Sequence, residues 1–357
     1  MKKIIFSILF TVVYTTCIYA DGLTATLQNG DDMKPFYGVD AFKDAVKEAV
    51  DGSIITLSPG VFTAIDSITK TITLRGSYGF DPTNNDVTIL SKIGVYANNV
   101  TIEGVHVSGN LIIGNVTDCH IKRCYIEGNL NSADGAHTNT LIDQCSVTKD
   151  FAISNGNNYC LRNSTIGSFG KINTAGNIAY ISNCTIYDFY YNHGSPSEGV
   201  QGVVVYPNIP YAIYKNNVLG IDITSYYYHD YAYYYYFVKF TSPNEFYNNN
   251  FTINRYNARS NYAASYRYTP DNQIQFESGC INSNNTTSSY SSVLPNKIYP
   301  SNPKDPGNGQ DGTVRGPYGG TGFSEYPAIP RVLSKDIDTS TDTDGNIKAK
   351  ITVKVQQ

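Results

Sequence analysis

Short segments with the pattern apolar-x-x-small-x-apolar recur along the chain between residues 102 and 251. Their first positions are separated by 19, 21, 19, 20, 33 and 32 residues. A period near 20 residues with short β-type runs is typical of one coil of a parallel β-solenoid, because helical repeats are longer and space apolar residues differently. The segments are IEGVHV (102–107), IKRCYI (121–126), IDQCSV (142–147), LRNSTI (161–166), ISNCTI (181–186), YKNNVL (214–219) and FYNNNF (246–251). The pattern therefore predicts an all-β chain wound in stacked coils.

Stacked coils place equivalent residues directly above one another, about 4.8 Å apart. The first and last positions of the repeat are apolar in every segment, from Ile102 and Val107 to Phe246 and Phe251. Both columns are predicted to face the interior. The fourth position predicts a further inner column of small residues, which are Val105, Cys124, Cys145, Ser164, Cys184, Asn217 and Asn249.

The second and third positions of the repeat predict an outer wall and a bend. Charges alternate in sign at the second position, as exposed charges on neighbouring strands should, and a catalytic role for them is the less favoured interpretation. Asparagine at the third position tolerates a left-handed backbone and can bond to its counterpart on the next coil, which predicts an asparagine ladder at a corner. The charged residues are Glu103, Lys122, Asp143 and Arg162, and the asparagines are Asn163, Asn183, Asn216 and Asn248.

Two parts of the chain resemble known proteins. VDAFKDAVKEAV (39–50), GSIITLSPGVF (52–62) and ITLRG (72–76) resemble the opening of pectin lyase-like right-handed parallel β-helix proteins. DGTVRGPYGG (311–320) and PAIPRVLSKDID (327–338) resemble the tail of a group of secreted bacterial β-helix proteins, most of which have no assigned activity. The resemblance implies an all-β fold, a right-handed single-stranded parallel β-helix of about 20 residues per coil with an N-terminal helical cap, but the fold alone does not imply a function.

The ends of the chain differ in composition from the repeats. Lys2 and Lys3 precede an apolar run that is too short to span a membrane, so we expect a signal peptide over residues 1–20, with lipid attachment at Cys17 as the open alternative. Residues 21–294 are predicted to form the β-helix. Residues 295–357 are predicted to form a Pro/Gly-rich segment along or over the solenoid and a terminal β-hairpin. We expect a secreted or outer-surface protein, with the periplasm as an alternative and no transmembrane segment in the mature chain.

Charge and cysteine content narrow the possible partners. The chain has 26 Lys+Arg against 30 Asp+Glu and no basic cluster, which argues against a nucleic-acid partner. Cys124, Cys145 and Cys184 are predicted to be packed thiols. The disulfide state of Cys119, Cys160 and Cys280 stays open at this point.

The two longest spacings predict insertions at about residues 187–211 and 220–245. Residues 187–268 hold 19 of the 31 tyrosines. Tyrosine combines a large contact area with a polar tip, so these insertions are predicted to form a lobe that binds glycan or a protein partner, although half-buried packing strands would look the same. The candidate ligand-binding residues are Tyr190, Tyr191, Tyr226, Tyr228, Tyr231, Tyr233 and Tyr235.

Candidates for catalysis are few. Lys149, Asp150 and Asp188 follow the last apolar column on coils two apart, where they would lie roughly 10 Å from one another or form an exposed turn. No metal site and no cofactor are predicted, and calcium enters only if the protein is a lyase. The leading hypothesis is a surface protein that binds polysaccharide, another glycan or a surface protein. The alternatives are a polysaccharide lyase or glycoside hydrolase, and a scaffold without a ligand.

Overall fold

The computed structural model describes residues 22–77, 79–80, 86–133, 137–153, 156–169, 179–189, 203–205, 211–224, 236–256, 274–289, 312, 314–324, 331–337 and 349–354. Nearly all regular structure in these ranges is β-strand, arranged mainly in two long sheets whose neighbouring strands are parallel apart from the antiparallel pairings among the first three strands of the chain. The molecule therefore has the solenoid-like all-β fold that the 20-residue period predicts.

The first sheet begins with an edge hairpin, and from its third strand onward it contains one strand from each coil, visited by the chain in spatial order. That order shows that each turn of the chain stacks directly on the previous one. The strands are β2 (Asp32–Tyr37), β1 (Thr24–Asn29), β3 (Ser53–Leu57), β5 (Ile72–Arg75), β8 (Thr101–Glu103), β11 (His120–Lys122), β15 (Leu141–Asp143), β18 (Cys160–Arg162), β20 (Ala179–Ser182), β23 (Ala212–Lys215), β26 (Glu245–Tyr247) and β29 (Ile281–Ser283).

The second sheet follows the first after a sharp corner and widens into a branch. Its main path is β4 (Gly60–Phe62), β6 (Thr88–Leu90), β9 (His106–Val107), β12 (Tyr125–Ile126), β16 (Ser146–Ala152), β19 (Thr165–Phe169), β21 (Thr185–Phe189), β24 (Val218–Thr224), β27 (Asn250–Tyr256) and β30 (Thr286–Ser289). The branch is β7 (Ile93–Val95), β10 (Leu111–Ile113) and β13 (Leu130–Ser132). Strand β16 is long enough to pair with both β12 and β13, so it joins the branch to the main path.

Three smaller groups of strands complete the described structure. The pair β14 (His137–Thr138) and β17 (Gly156–Asn157) is parallel, as is the sheet β22 (Val203–Val205), β25 (Tyr236–Phe240) and β28 (Ile274–Phe276). The strands β31 (Arg331–Ile337) and β32 (Ala349–Lys354) form an antiparallel pair. No helix among the described residues is long and apolar enough to cross a membrane.

A short helix, α1 (Ala41–Glu48), closes the N-terminal end of the solenoid. Phe42 and Ala45 are buried in the same hydrophobic core as the first coils. The last carbonyl groups of the helix are capped by Lys70, whose Nζ donates to the carbonyl oxygens of Val46 at 3.0 Å and Ala49 at 2.6 Å. A cation at this position satisfies acceptors that the helix leaves free and opposes its dipole.

The predicted inner columns are confirmed by the strand register. Ile121 pairs with Ile102 on one side and Ile142 on the other, and the series continues upward to Phe246. Val107 begins the equivalent series in the second sheet. All members are buried, and in the upper coils the ring centroids of Tyr214 and Phe246 stack at 4.8 Å. Aromatic stacking thus replaces aliphatic packing where the coils lengthen.

The asparagine ladder is present, but one position later than predicted. The predicted asparagines do occupy the left-handed bend, with φ of 47° at Asn163 and 57° at Asn216. The amide-to-amide bonds instead run through the small inner column, from Asn217 Nδ2 to Asn249 Oδ1 at 3.0 Å and from Asn249 Nδ2 to Asn285 Oδ1 at 3.0 Å. The left-handed residue turns its side chain outward, so only the following residue faces its counterpart inside the coil.

A second left-handed corner carries an external ladder that the repeat pattern did not show. Asp118, Asn139 and Asn158 all have φ near 55°, at 56°, 55° and 55°. Asn139 Nδ2 donates to Asp118 Oδ1 at 3.1 Å, and Asn158 Nδ2 donates to Asn139 Oδ1 at 2.7 Å. This corner connects the branch back to the first sheet.

The alternating charges are less exposed than predicted. Glu103 and Asp143 are buried, because arginines from the adjacent coil cover them. Arg123 Nη1 lies 2.6 Å from Glu103 Oε1, and Arg162 Nη2 lies 2.9 Å from Asp143 Oδ2. The two acidic members of the column are therefore buried in ion pairs rather than solvated.

The cysteines are all free among the described residues. Cys124, Cys145 and Cys184 are fully buried in the inner column, which confirms the prediction of packed thiols. Burial raises the pKa of the Cys119 thiol to about 12, so this side chain also behaves as a small apolar group.

The Pro/Gly-rich region contains a segment that lies along the solenoid. Residues 314–324, here called the C-terminal strap, contact the left-handed corner of successive coils, from Asn216 and Asn183 down to Asn163 and Gln144. At its lower end the ring of Phe323 packs against Phe80, with centroids 5.3 Å apart.

Candidate functional site

The outward positions of the branch and of the adjoining main-path strands β16, β19 and β21 form a polar column. Asp150 pairs in register with Ser168, which pairs with Asp188 on the next strand. The two aspartates therefore lie two strand spacings apart, about 10 Å, which is the separation expected from the sequence. Lys149 is exposed within the irregularity between Val147 and Asp150, and Asp188 is half-buried.

The column continues toward the N-terminal coils through two asparagines with fixed orientation. Asn110 Oδ1 accepts a hydrogen bond from the Asn129 backbone N–H at 2.9 Å, and Asn129 Oδ1 accepts one from the Asp150 backbone N–H at 3.2 Å. Because each carbonyl faces a backbone donor, each Nδ2 group is held in place. Neither Nδ2 group has a hydrogen-bond partner within the described part of the chain. The column thus presents two oriented amide donors one strand apart.

An aromatic ring lies at the lower end of the same face. Tyr96 is 48% exposed, although it follows a branch strand. A Cβ added to Gly94 would lie 2.7 Å from Tyr96 Cε2, and one added to Gly114 would lie 2.6 Å from Tyr96 Cδ1. The ring therefore rests directly on two glycines and leaves the rest of its surface to solvent. Glycine at both positions is what permits this arrangement.

The candidate tyrosines of the lobe, Tyr190, Tyr191, Tyr226, Tyr228, Tyr231, Tyr233 and Tyr235, lie outside the described residues. The strands around them show where the insertions leave and rejoin the solenoid. They leave after β21, β24 and β27, which are successive strands of one sheet, and return at β22, β25 and β28, which also pair with one another. Besides the two predicted insertions, residues 257–273 also fall between a strand of the first set, β27, and a strand of the second set, β28.

A second cluster lies on the outward side of the second sheet. His106 is buried, its ring meets Tyr125 edge-on at 5.0 Å, and its Nε2 lies 3.2 Å from Glu127 Oε1. Burial lowers the pKa of His106, and the nearby Glu127 carboxylate only partly opposes this. The imidazole is therefore held neutral in the folded protein.

We expect His106 to make stability fall on acidification. Its pKa is near 6.5 in the unfolded chain and lower when folded, so the unfolded state takes up more protons as pH falls below 6.5. The slope from this residue reaches at most about 1.4 kcal/mol per pH unit. Urea unfolding of the wild type and His106→Phe from pH 8 to pH 5 measures it as the difference between the two curves. Parallel curves would contradict the assignment.

Within the described residues, no group of three or more His, Cys, Asp or Glu side chains is arranged to hold a metal ion. No protein-family model, curated protein or solved structure matches the chain.

Sequence reasoning identified the upper part of the polar column and missed the lower part. Asn110 and Asn129 each follow a glycine and stand 19 residues apart, which is one coil. This repeated Gly-Asn pair was an available signal. Tyr96 carried no comparable signal, because its environment depends on glycines from two different coils.

Proposed function

We propose that the protein binds an extended glycan along the outer face of the branch and of the adjoining strands β16, β19 and β21. The observation that carries the proposal is the polar column of Asn110, Asn129, Asp150, Ser168 and Asp188, with the half-exposed ring of Tyr96 at its lower end. From the strand of Gly94 to that of Asp188 the face spans five strand spacings, about 24 Å.

The chemistry of this face suits sugars. A sugar ring offers hydroxyl groups that both donate and accept hydrogen bonds, and the column supplies amide donors, a hydroxyl group and carboxylate acceptors at a regular spacing. Tyr96 adds a large contact surface that is already immobilised, so its ordering costs little upon binding. An elongated face whose polar groups repeat at the strand spacing fits a chain of sugars better than a compact ligand.

The Tyr-rich insertions fit the same proposal. The first leaves the solenoid directly after Asp188, so the lobe begins where the polar column ends. In this proposal the fold is a right-handed single-stranded parallel β-helix related to pectin lyase-like proteins, and residues 1–20 direct export to the cell surface or medium. Tyrosines of the lobe would then contact one end of a glycan that is bound along the column.

Binding to a panel of plant, host and bacterial polysaccharides tests the proposal, with calorimetry on each oligosaccharide retained. Tyr96→Ala is expected to weaken binding about tenfold, as loss of an anchoring aromatic ring does. The paired change Tyr233→Ala and Tyr235→Ala should also weaken it and leave the fold intact. Tyr180→Ala is the matched control, since Tyr180 is 40% exposed on the first sheet. Equal loss in all three, or no ligand in the panel, would refute the proposal.

A glycoside hydrolase is the second candidate. The strand positions of Asp150 and Asp188 lie about 10 Å apart, on either side of Ser168. Inverting glycosidases hold their two catalytic carboxylates roughly 6.5–9.5 Å apart, which is close to this separation. Mass spectrometry of products after incubation with the panel and calcium separates the cases. Saturated ends would indicate a hydrolase using Asp150 and Asp188, unsaturated ends would indicate a lyase, and intact substrate would leave binding alone.

A further inference from the structure

The C-terminal strap is recognised mainly through its backbone. Asn163 Nδ2 donates to the carbonyl oxygens of Pro317 at 2.8 Å and Gly319 at 2.6 Å, and Asn183 Nδ2 donates to that of Val314 at 3.1 Å. These two asparagines occupy the left-handed corner, which turns their amides outward. The corner therefore presents side-chain amides, one per coil, to the main chain of a peptide.

The solenoid makes residue-specific contacts with two positions of the strap, an arginine and a glycine. Arg315 is buried, and it donates from Nε to the Asn248 carbonyl oxygen at 2.5 Å and from Nη1 to Thr286 Oγ1 at 2.8 Å. A Cβ added to Gly319 would collide with the Val314 carbonyl oxygen within the strap and would lie 2.4 Å from Asn183 Nδ2, so a larger residue there disturbs both the turn of the strap and its fit to the groove. The site thus selects an arginine followed by glycine.

The fit between strap and solenoid is incomplete. Ser146, Thr165 and Thr185 are stacked in register on the outward side of the second sheet and are buried. Their hydroxyl groups have no hydrogen-bond partner in the described part of the chain. The same outward column ends at Thr286, which Arg315 contacts, and includes Tyr125, whose ring lies 5.9 Å from Phe80 under Phe323. Unsatisfied buried hydroxyls weaken an interface, because they lose water without gaining a partner.

Several bulky side chains of the strap are exposed. Val314 is 39% and Tyr318 38% exposed, and among the described residues the ring of Phe323 packs against Phe80 of the solenoid. Segments with much exposed apolar surface open at a lower free energy than the core beneath them. Opening of the strap is therefore expected to cost less free energy than unfolding of the coils.

We propose that the left-handed corner is a peptide-binding groove and that the C-terminal strap is its built-in, displaceable occupant. The ligand class is a glycine-rich peptide with an arginine near its start, bound through backbone carbonyl groups to Asn163 and Asn183. This site lies at the left-handed corner and at the first positions of the second-sheet strands, whereas the proposed glycan face uses the later positions of β16, β19 and β21 and the branch. The peptide proposal does not depend on glycan binding.

The test uses the full chain carrying Gly319→Val and Gly320→Val, which should evict the strap by collision with Asn183. A fluorescein-labelled synthetic peptide of residues 312–324 is the probe, and anisotropy is the readout. The evicted variant is expected to bind this peptide about tenfold more tightly than the wild type does, because the wild-type groove is occupied. A peptide with Arg315→Ala should bind about tenfold more weakly.

Hydrogen exchange of the wild type gives an independent measurement that needs no variant. The Gly316 N–H donates to the Asn216 carbonyl oxygen at 2.9 Å, and the Gly319 and Gly322 amides are bonded within the strap. These three amides should exchange faster than the amides of Ile142 and Ile166 in the core. Exchange at the rate of global unfolding, or no peptide binding by a folded evicted variant, would overturn the proposal.

Discussion

Replacing Ile142 with aspartate is expected to abolish folding. Ile142 is fully buried and lies in register between Ile121 and Leu161 in the first inner column. A carboxylate there loses its hydration without a partner, which costs several kcal/mol, and the lost packing of isoleucine costs about 2–5 kcal/mol more. Proteins have about 5–15 kcal/mol of stability in total, so the sum removes most or all of it.

Circular dichroism and thermal unfolding measure this effect. Leu141→Asp is the matched control, because Leu141 is the adjacent residue on the same strand and is only half-buried. Successive residues of a strand point to opposite faces, so the control places the same charge on the outer wall. We expect cooperative unfolding of the control near the wild-type temperature. Similar cooperative unfolding of Ile142→Asp would show that the assigned register is wrong.

The second largest effect is expected from Asn249→Ala, which interrupts the internal asparagine ladder. Asn249 is fully buried, and its Oδ1 accepts from the Asn217 backbone N–H at 2.9 Å and from Asn217 Nδ2 at 3.0 Å. Its Nδ2 donates to the Tyr214 carbonyl oxygen at 2.9 Å and to Asn285 Oδ1 at 3.0 Å. Alanine leaves several of these buried groups without partners, so we expect a loss of about 3 kcal/mol or more.

The matched control is Asn139→Gly in the external ladder. Asn139 makes two amide bonds of the same kind, but it is exposed, so water can replace them. Glycine accommodates the φ of 55° at this position. Chemical denaturation should give less than about 1 kcal/mol for the control. Equal losses at the two positions would mean that burial does not determine the strength of the ladder.

Much of the fold could be predicted from sequence because a solenoid repeats its own pattern. The seven repeat segments bury residues at the same two positions, so the columns that begin at Ile102 and Val107 extend to Phe246 and Phe251. In the next coil, Asn282 and Thr287 occupy the register positions of Phe246 and Phe251. Within the described residues this coil forms the end of both long sheets, so polar side chains are tolerated there. Residues 257–273 were not recognised as an insertion because the polar coil that follows them does not match the apolar repeat.

Contacts that do not follow the repeat could not be predicted. The C-terminal strap bonds to Asn163 across 154 and 156 residues of sequence, and no periodicity connects these positions. The ladder was placed one residue early because composition marks both Asn216 and Asn217, and only backbone geometry decides which one faces inward. In the candidate site, the alignment of Asp150 with Asp188 follows from the period. The position of the Tyr96 ring does not follow from the period, because the ring rests on Gly94 and Gly114, which belong to two different coils.

The positions at which the chain leaves and rejoins the solenoid have an evolutionary consequence. Each coil of a solenoid depends mainly on its neighbours, so a stretch that leaves after one strand and returns at another can change in length without altering the coils. Residues 190–202, 225–235 and 257–273 are the stretches of sequence between the paired strands β21, β24 and β27 and the strands β22, β25 and β28. Insertions, deletions and exchanges in these stretches can therefore accumulate while the buried columns stay constant.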